Sequence, residues 1–268
     1  MNAHQLYKIM TNIFEDISYL LNNYFSMFFN GLITTLILAV VGTVVGLLIG
    51  TFLAFGKNIK IDDNVSKLKQ FWKYPVIAFC TIYSTVIRGT PMMVQAMIFK
   101  YVCQLVFNVN WNLILPGESI FNGWFVAGLI VITFNTAAYM CEIVRSGLNG
   151  VDNGQIEGAR SLGFSSMQTL FLVSLPQAIK NAIPTIGSEF IVNIKDSSVL
   201  NVIAVTELFF QANQAANKGY KFIAAYVIVA CIYLLLTLMA TGLLKLLEYK
   251  LDGKKITLPF FNKKKRGI

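Results

Sequence analysis

Long apolar runs alternate with short polar breaks along this chain, and run length decides what each can become. Met27 to Phe55 is about 29 residues of nearly unbroken apolar character, beyond the ~20 needed to cross a bilayer, and predicts a first span. Gly42, Gly46 and Gly50 recur within it at every fourth position, so on a helix they share a face where a neighbouring helix can come close. Residues 1–25 before it are mixed and aromatic, with Glu15 and Asp16, and predict a short interfacial segment. The next break carries Lys57, Lys60, Lys67, Lys69 and Lys73 against Asp62 and Asp63. Lys and Arg collect on the cytoplasmic side of membrane proteins, so the first span starts outside and ends inside.

Tyr74 to Phe107 is about 34 apolar residues, too many for one straight crossing and few for two. Arg88-Gly89-Thr90-Pro91 interrupts it, and Pro91 breaks a helical ladder there. Counting one kinked crossing puts 108–122, which has no Lys or Arg, outside, and the stretch flanked by Arg145, Arg160 and Lys180 inside. Trp124 to about Ser146 then predicts a third span, Pro184 to about Gln211 a fourth, and Tyr220 to about Leu247 a last. Gln211 to Lys221 reads as a polar outer turn, and the basic tail as cytoplasmic. The expectation is an all-α, polytopic membrane protein of about five transmembrane helices, with its N-terminus outside and its C-terminus cytoplasmic. A membrane domain over 26–251 lies between the 1–25 segment and the tail, 252–268.

Residues 147–184 form the longest stretch of mixed polarity between two apolar runs. Asp152 with Gln155, and Ser165 with Gln168, have the spacing of capping boxes. Gly163 stands where a first short helix needs a left-handed stop. Ser174-Leu175-Pro176 predicts the opening of a third helix, with proline in its first turn. The result is an elbow of two short helices hinged at Gly163. Gly158 and Ala159 let another backbone come close, and Glu157 adds one charge for orientation. Such a helix pair either docks in a groove of a partner or lies on the headgroups.

Composition agrees with a membrane protein: 56% of the 268 residues are hydrophobic and 13% charged. Mean hydropathy is +0.62. The net charge of +9 gathers at span ends without aromatic interleaving, which fits loop charge rather than nucleic-acid binding. Cys80, Cys103, Cys141 and Cys231 all fall in apolar runs without metal-ligand spacing and read as core residues. The sequence has one histidine, His4, and no phosphate-cradling G-x-x-x-x-G-K-[ST]. It therefore predicts no catalytic residue, no metal site and no nucleotide site of its own.

The charges inside apolar runs carry the chemistry. Glu142 lies late in the third span beside a polar, small face of Asn135, Thr136 and Ala138; Arg88 sits at the break; Lys195 and Asp196 interrupt the fourth span. An intramembrane charge marks a pathway or a helix-locking ion pair. The locking alternatives are Arg88 with Asp196 and Lys195 with Glu142. Both signs beside a path suit a zwitterion, carboxylate to its ammonium and cation to its carboxylate.

Glu157-Gly158-Ala159, then Gly163, then Val173-x-Leu175-Pro176, resembles the EAA loop of ABC importer permeases. That pattern is E-A-A, three residues, G, nine residues, I-x-L-P; Gly158 and Val173 are mild departures. Ile87-Arg88-Gly89-Thr90-Pro91, Gly154-Gln155-Ile156-Glu157, Leu175-Pro176-Gln177-Ala178 and Lys195-Asp196-Ser197-Ser198 resemble the polar amino acid subfamily, and the likeness runs from about Asn30 to Leu251. The resemblance implies the type I importer permease fold in the cytoplasmic membrane. It implies a homodimer, or a heterodimer with a second permease, two cytoplasmic ATPase subunits holding ATP and Mg, and an external solute-binding protein. Glu157, Gly158, Ala159, Gly163, Leu175 and Pro176 would couple to the ATPase; Arg88, Asn135, Glu142, Lys195, Asp196 and Ser197 would line the substrate path. A secondary transporter or channel subunit is the rival, but neither an internal repeat nor coupling-ion residues are visible.

Overall fold

The computed structural model describes residues 3–59, 70–114 and 120–252, with side chains for residues 12–250 among them. Most of the basic loop after Lys57 and the basic tail lie outside the described residues. Helix α1 spans Ala3–Lys57 and keeps helical geometry except at Tyr24 (φ −128°, ψ 19°). The expected interfacial segment is thus helical, and joins the first span through a kink at Tyr24.

Helix α2 (Lys73–Gly89) and helix α3 (Met92–Leu105) meet at the expected break. They bend by 111° across it. Thr90 and Pro91 are extended; the clash with a following proline disfavours the helical region for Thr90. Helix α4 (Trp111–Ile114) lies in the expected outer loop. Helix α5 (Gly123–Asn149) starts on an Asn122 cap, whose side chain accepts from the Phe125 amide at 2.9 Å. The elbow follows with α6 (Asn153–Ser161), α7 (Ser166–Gln168) and a π-turn over Thr169–Ser174.

Helix α8 (Leu175–Asp196) continues directly from that π-turn. No new helix opens at Ser174, contrary to expectation. The wide turn closes a bond from the Leu175 amide to the Leu170 carbonyl, which lets a proline follow without ending the helix. The helix also runs through Pro184. The fourth span does not reach Gln211: α8 stops at Asp196, and a 3₁₀ helix runs Ser197–Ile203. Ala204 is left-handed at φ 68°, which ends that run. The polar turn expected at 211–221 belongs mostly to helix α9, Leu208–Gly219. Helix α10 (Phe222–Asp252) closes the fold.

Among the described residues, three helices are long and apolar enough to cross a membrane on their own, within Asn12–Lys57, Gly123–Asn149 and Phe222–Lys250; α2 and α3 qualify together as a bent pair. Helix α8 does not meet that test by itself, because Gln177, Asn181, Pro184, Thr185 and Ser188 lower its hydropathy along with Lys180 and Glu189. It packs instead among α1, α5 and α10, where charges meet protein rather than lipid. Among the described residues, the three helices, the bent pair and α8, a polar helix whose charges meet protein rather than lipid, together make up the expected set of about five.

The glycine stripe of α1 behaves as its spacing predicts. Gly42, Gly46 and Gly50 sit on Ile132, Thr136 and Met140 of α5, matching one four-residue stripe to another. A Cβ at Gly50 would stand 2.6 Å from Met140 Cβ and 2.7 Å from the Ala137 carbonyl. Of the cysteines, Cys80 and Cys141 are buried, Cys103 is partly so, and Cys231 is exposed, which departs from its reading as core.

Candidate functional site: a capped elbow and a polar seam

The elbow is built from local bonds. Asp152 accepts from the Gly154 amide at 2.6 Å and starts α6, though without the reciprocal Gln155 contact of a capping box. Gly163 is left-handed (φ +85°). Its amide donates to the Arg160 carbonyl at 2.9 Å, and the Phe164 amide to the Ala159 carbonyl at 3.2 Å. That is the Schellman pattern, in which the left-handed residue lets the last carbonyls of a helix find donors. Ser165 and Gln168 complete the second capping box: the Gln168 amide donates to Ser165 Oγ at 3.3 Å and the Ser165 amide to Gln168 Oε1 at 2.8 Å.

The elbow has two sides. Ile156 and Leu170 pack on the cluster of Ala54, Cys141, Val144, Leu148, Val151 and Ala178, at the ends of α1, α5 and α8. Phe171 meets Phe55 edge-on with centroids 5.6 Å apart. Ala159 is buried on this inner side, so it supports the elbow rather than facing outward as the sequence suggests. The outer side is open: Glu157 is exposed and a Cβ at Gly158 would touch nothing within 4 Å. Leu162 is 80% exposed, with Met167 and Leu172 also bare. Leu175 is partly buried and Pro176 exposed at the start of α8.

Behind the elbow, a cleft of about 410 Å³ runs between α5 and α8, lined by Glu142, Ser146, Gly147, Gly150, Asn181 and Thr185 among others. Glu142 is the hub of an ion-pair cluster there. Its Oε1 pairs with Lys57 Nζ from the end of α1 and lies 3.8 Å from Arg88 Nη1 at the end of α2; its Oε2 lies 2.8 Å from Arg145 Nη2. Lys57 also donates to Ser84 Oγ at 3.0 Å. The two pairings open from sequence, Arg88 with Asp196 and Lys195 with Glu142, do not form among the described residues. Glu142 finds other cations, two of which, Lys57 and Arg145, stand in the sequence only as charge at span ends.

A polar seam continues from this cluster into the bundle. Asn135 donates to Gln95 Oε1 at 3.0 Å. Thr136 donates to Asn193 Oδ1 at 3.1 Å, and Asn193 to Thr43 Oγ1 at 2.9 Å. Arg88 stacks over Tyr139 with its guanidinium carbon 5.6 Å from the ring centre. On α8, Glu189 and Asp196 are seven positions apart and so share a helical face. Lys195 is exposed. Ser197 is buried and spends its hydroxyl on the Ile194 carbonyl at 2.8 Å. The structure thus gathers Arg88, Asn135 and Glu142 together, and places Lys195 and Asp196 further along α8, outside that cluster.

Glu207 escapes a reading of the sequence. It is fully buried, caps α9 by accepting from the Phe209 and Phe210 amides at 2.8 and 2.7 Å, and accepts from Tyr233 at 3.0 Å. Its place directly before Leu208-Phe209-Phe210 is the available signal, an acceptor just ahead of a helical apolar run.

Known proteins resemble the chain along most of its length. The family described as binding-protein-dependent transport system inner membrane component matches residues 75–253. The arginine transport system permease protein ArtQ of Bacillus subtilis (strain 168) is 34% identical over 180 residues, 67% of this chain and 77% of that one. A crystal structure of an amino acid ABC transporter with histidines superposes with a TM-score of 0.71 at 35% identity, covering 86% of this chain and 96% of that one. The inward-facing MetNI methionine ABC transporter gives 0.57 at 15% identity, covering 83% and 94%, a likeness of fold alone.

Proposed function

The chain belongs to the binding-protein-dependent transport system inner membrane components, the permease subunits of ATP-binding cassette importers, and from that premise we propose that its cargo is a polar amino acid and its drive enters at residues 152–176. The two-sided elbow carries the reading. Its inner face is packed on three helix ends, and its outer face offers an open glycine, one carboxylate and bare Leu162, Met167 and Leu172. An apolar helix face of this kind suits a groove in a soluble partner. That partner is a pair of ATPase subunits holding ATP and Mg on the cytoplasmic side. Two permeases, identical or related, stand between them and an external binding protein, and the N-terminus is outside and the C-terminus inside.

When the ATPases close they push the elbow, and Ile156 and Leu170 pass the displacement to α1, α5 and α8. The substrate meets the seam. Arg88 takes its carboxylate, Glu189 and Asp196 its ammonium, and the Asn135 amide one further hydrogen bond. Glu142 orients Arg88 instead of meeting the ammonium itself, because its oxygens already serve three cations. The cleft between α5 and α8 is the way out. Arginine transport by the named relative, and the amino acid transporter of similar fold, support this class of cargo.

The test is co-expression with ATPase and binding-protein subunits from the same organism, followed by uptake of each of the twenty amino acids into proteoliposomes. ATP-dependent uptake of a polar amino acid, abolished by Gly158→Trp with loss of ATPase co-purification, is the expected result. Uptake that needs no ATPase would return the chain to the secondary transporters.

A further inference from the structure

The break between α2 and α3 leaves backbone groups without helical partners. Helix α2 ends at Gly89, and the last carbonyls of a helix need donors from elsewhere. Thr90 Oγ1 donates to the Val86 carbonyl at 2.9 Å, and one side chain from α3 serves the Ile87 carbonyl and the turn beyond it. Gln95, in the first turns of α3, donates through Nε2 to the Ile87 carbonyl at 2.7 Å, the Thr90 carbonyl at 2.9 Å and Thr90 Oγ1 at 2.9 Å. Its Oε1 accepts from Asn135 Nδ2 of α5 at 3.0 Å. The amide orientation is fixed by chemistry, since a flipped group would set its oxygen against two carbonyl oxygens.

Arg88 is the residue after Ile87. Its guanidinium rests on Tyr139 and approaches Glu142. Asn135, Tyr139 and Glu142 lie at i, i+4 and i+7 on α5, a single helical face. That face therefore holds the break at three successive levels, Gln95 at one and Arg88 at the next two. Arg88 is 43% exposed in its side chain, so packing alone does not fix it.

We infer that Gln95 is a positioning residue for substrate recognition: it ties the carbonyls around Arg88 to α5 and sets where the guanidinium presents itself to a carboxylate. This rests on the reading of Arg88 as the carboxylate contact. Gln95 touches no substrate; it acts through Arg88.

The experiment is a double-mutant cycle in the reconstituted complex, reading the uptake KM for arginine, or for glutamine where the amino acid panel shows the parent complex carries that instead. Gln95→Glu keeps size and the acceptor but cannot donate to carbonyls when ionised; Gln95→Leu removes all polar partners. Both are expected to raise KM about tenfold, the effect of losing roughly one charge-orienting hydrogen bond. In an Arg88→Ala background, Gln95→Leu adds less than about twofold, because two residues acting through one contact are not additive. Multiplying losses in the double variant would make Gln95 a merely structural residue and overturn the inference. So would an unchanged KM in both Gln95 variants while Arg88→Ala raises it. An unchanged KM in Arg88→Ala itself would instead remove Arg88 from the site, and the positioning role with it.

Discussion

The elbow and the seam are both polar stretches between apolar spans, yet they are held together in opposite ways. The elbow's bonds join residues close in the chain, as with Ser165 and Gln168, three apart. The seam's bonds join distant ones: Asn135 to Gln95 across 40 residues, Glu142 to Lys57 across 85, Asn193 to Thr43 across 150. A unit closed by local bonds keeps its shape when displaced. A set of groups contributed by four helices changes whenever those helices shift. The mechanical coupling proposed above needs that division of labour: one unit that keeps its shape, set against groups that can rearrange.

The largest effect expected tests the rigid half. Gly163 holds φ +85°, and proline is locked near −65°. Gly163→Pro should lower ATP-driven uptake about a hundredfold while the chain still inserts, since losing the left-handed stop dissolves the Schellman closure. Measured uptake within threefold of the parent would mean that the angle between α6 and α7 does not transmit the stroke.

The next tests the seam. Lys57→Met leaves Glu142 with Arg145 and a distant Arg88, and the Lys57 and Glu142 side chains are only 18% and 16% exposed. Removing one partner of a well-buried pair costs about 3–5 kcal/mol; with this residual exposure about 2–3 kcal/mol is expected. Thermal unfolding in detergent should report it, and the swap Lys57→Glu with Glu142→Lys should recover part of the loss. No recovery would show that Lys57 stabilises α1 by packing rather than by charge.

The same contrast explains what the sequence could reveal. The Ser165 box, the Gly163 stop and the Gly42–Gly46–Gly50 stripe are legible because caps and helical faces depend on spacing within a few residues. The motif from Glu157 to Pro176 is legible by its resemblance to a known family, whereas spacing alone leaves docking in a groove and lying on the headgroups both open. The π-turn before Leu175 is not, because it has no residue code of its own and is seen only in which amide reaches which carbonyl. Lys57 looks like one basic loop residue among several; only the fold carries it back to Glu142. Gln95 looks like a lone polar residue in an apolar run, and its three acceptors exist only once Thr90 and Pro91 have turned the chain. Ala159 reads as an outward small residue, since a helix nine residues long gives too few positions to fix which face is inner.

A smaller effect separates packing from chemistry within the bundle. Gly50→Ala sets a methyl group 2.6 Å from Met140 Cβ and 2.7 Å from a backbone oxygen. Neither can swing aside, so α1 and α5 must part, at about 1–3 kcal/mol. The loss should appear in thermal stability and grow with side-chain size through Ser and Val. Equal stability across the series would mean the two helices do not meet at this stripe.

The smallest effect returns to the elbow and carries the opposite sign. Gly158 lies inside α6, and a methyl group added there would meet nothing within 4 Å. Glycine in a helix interior is about 0.5–1 kcal/mol worse than alanine, because it gives up more backbone freedom on folding. Gly158→Ala should therefore slow amide exchange in α6 about twofold to fivefold, at Glu157 and its neighbours, and leave exchange in α5 and α8 as it was. The change should be read in the isolated chain, before any partner shields the same amides. Slower exchange spreading into α5 would show that the elbow and the bundle unfold together, and would erase the distinction between a locally closed unit and the helices it packs on.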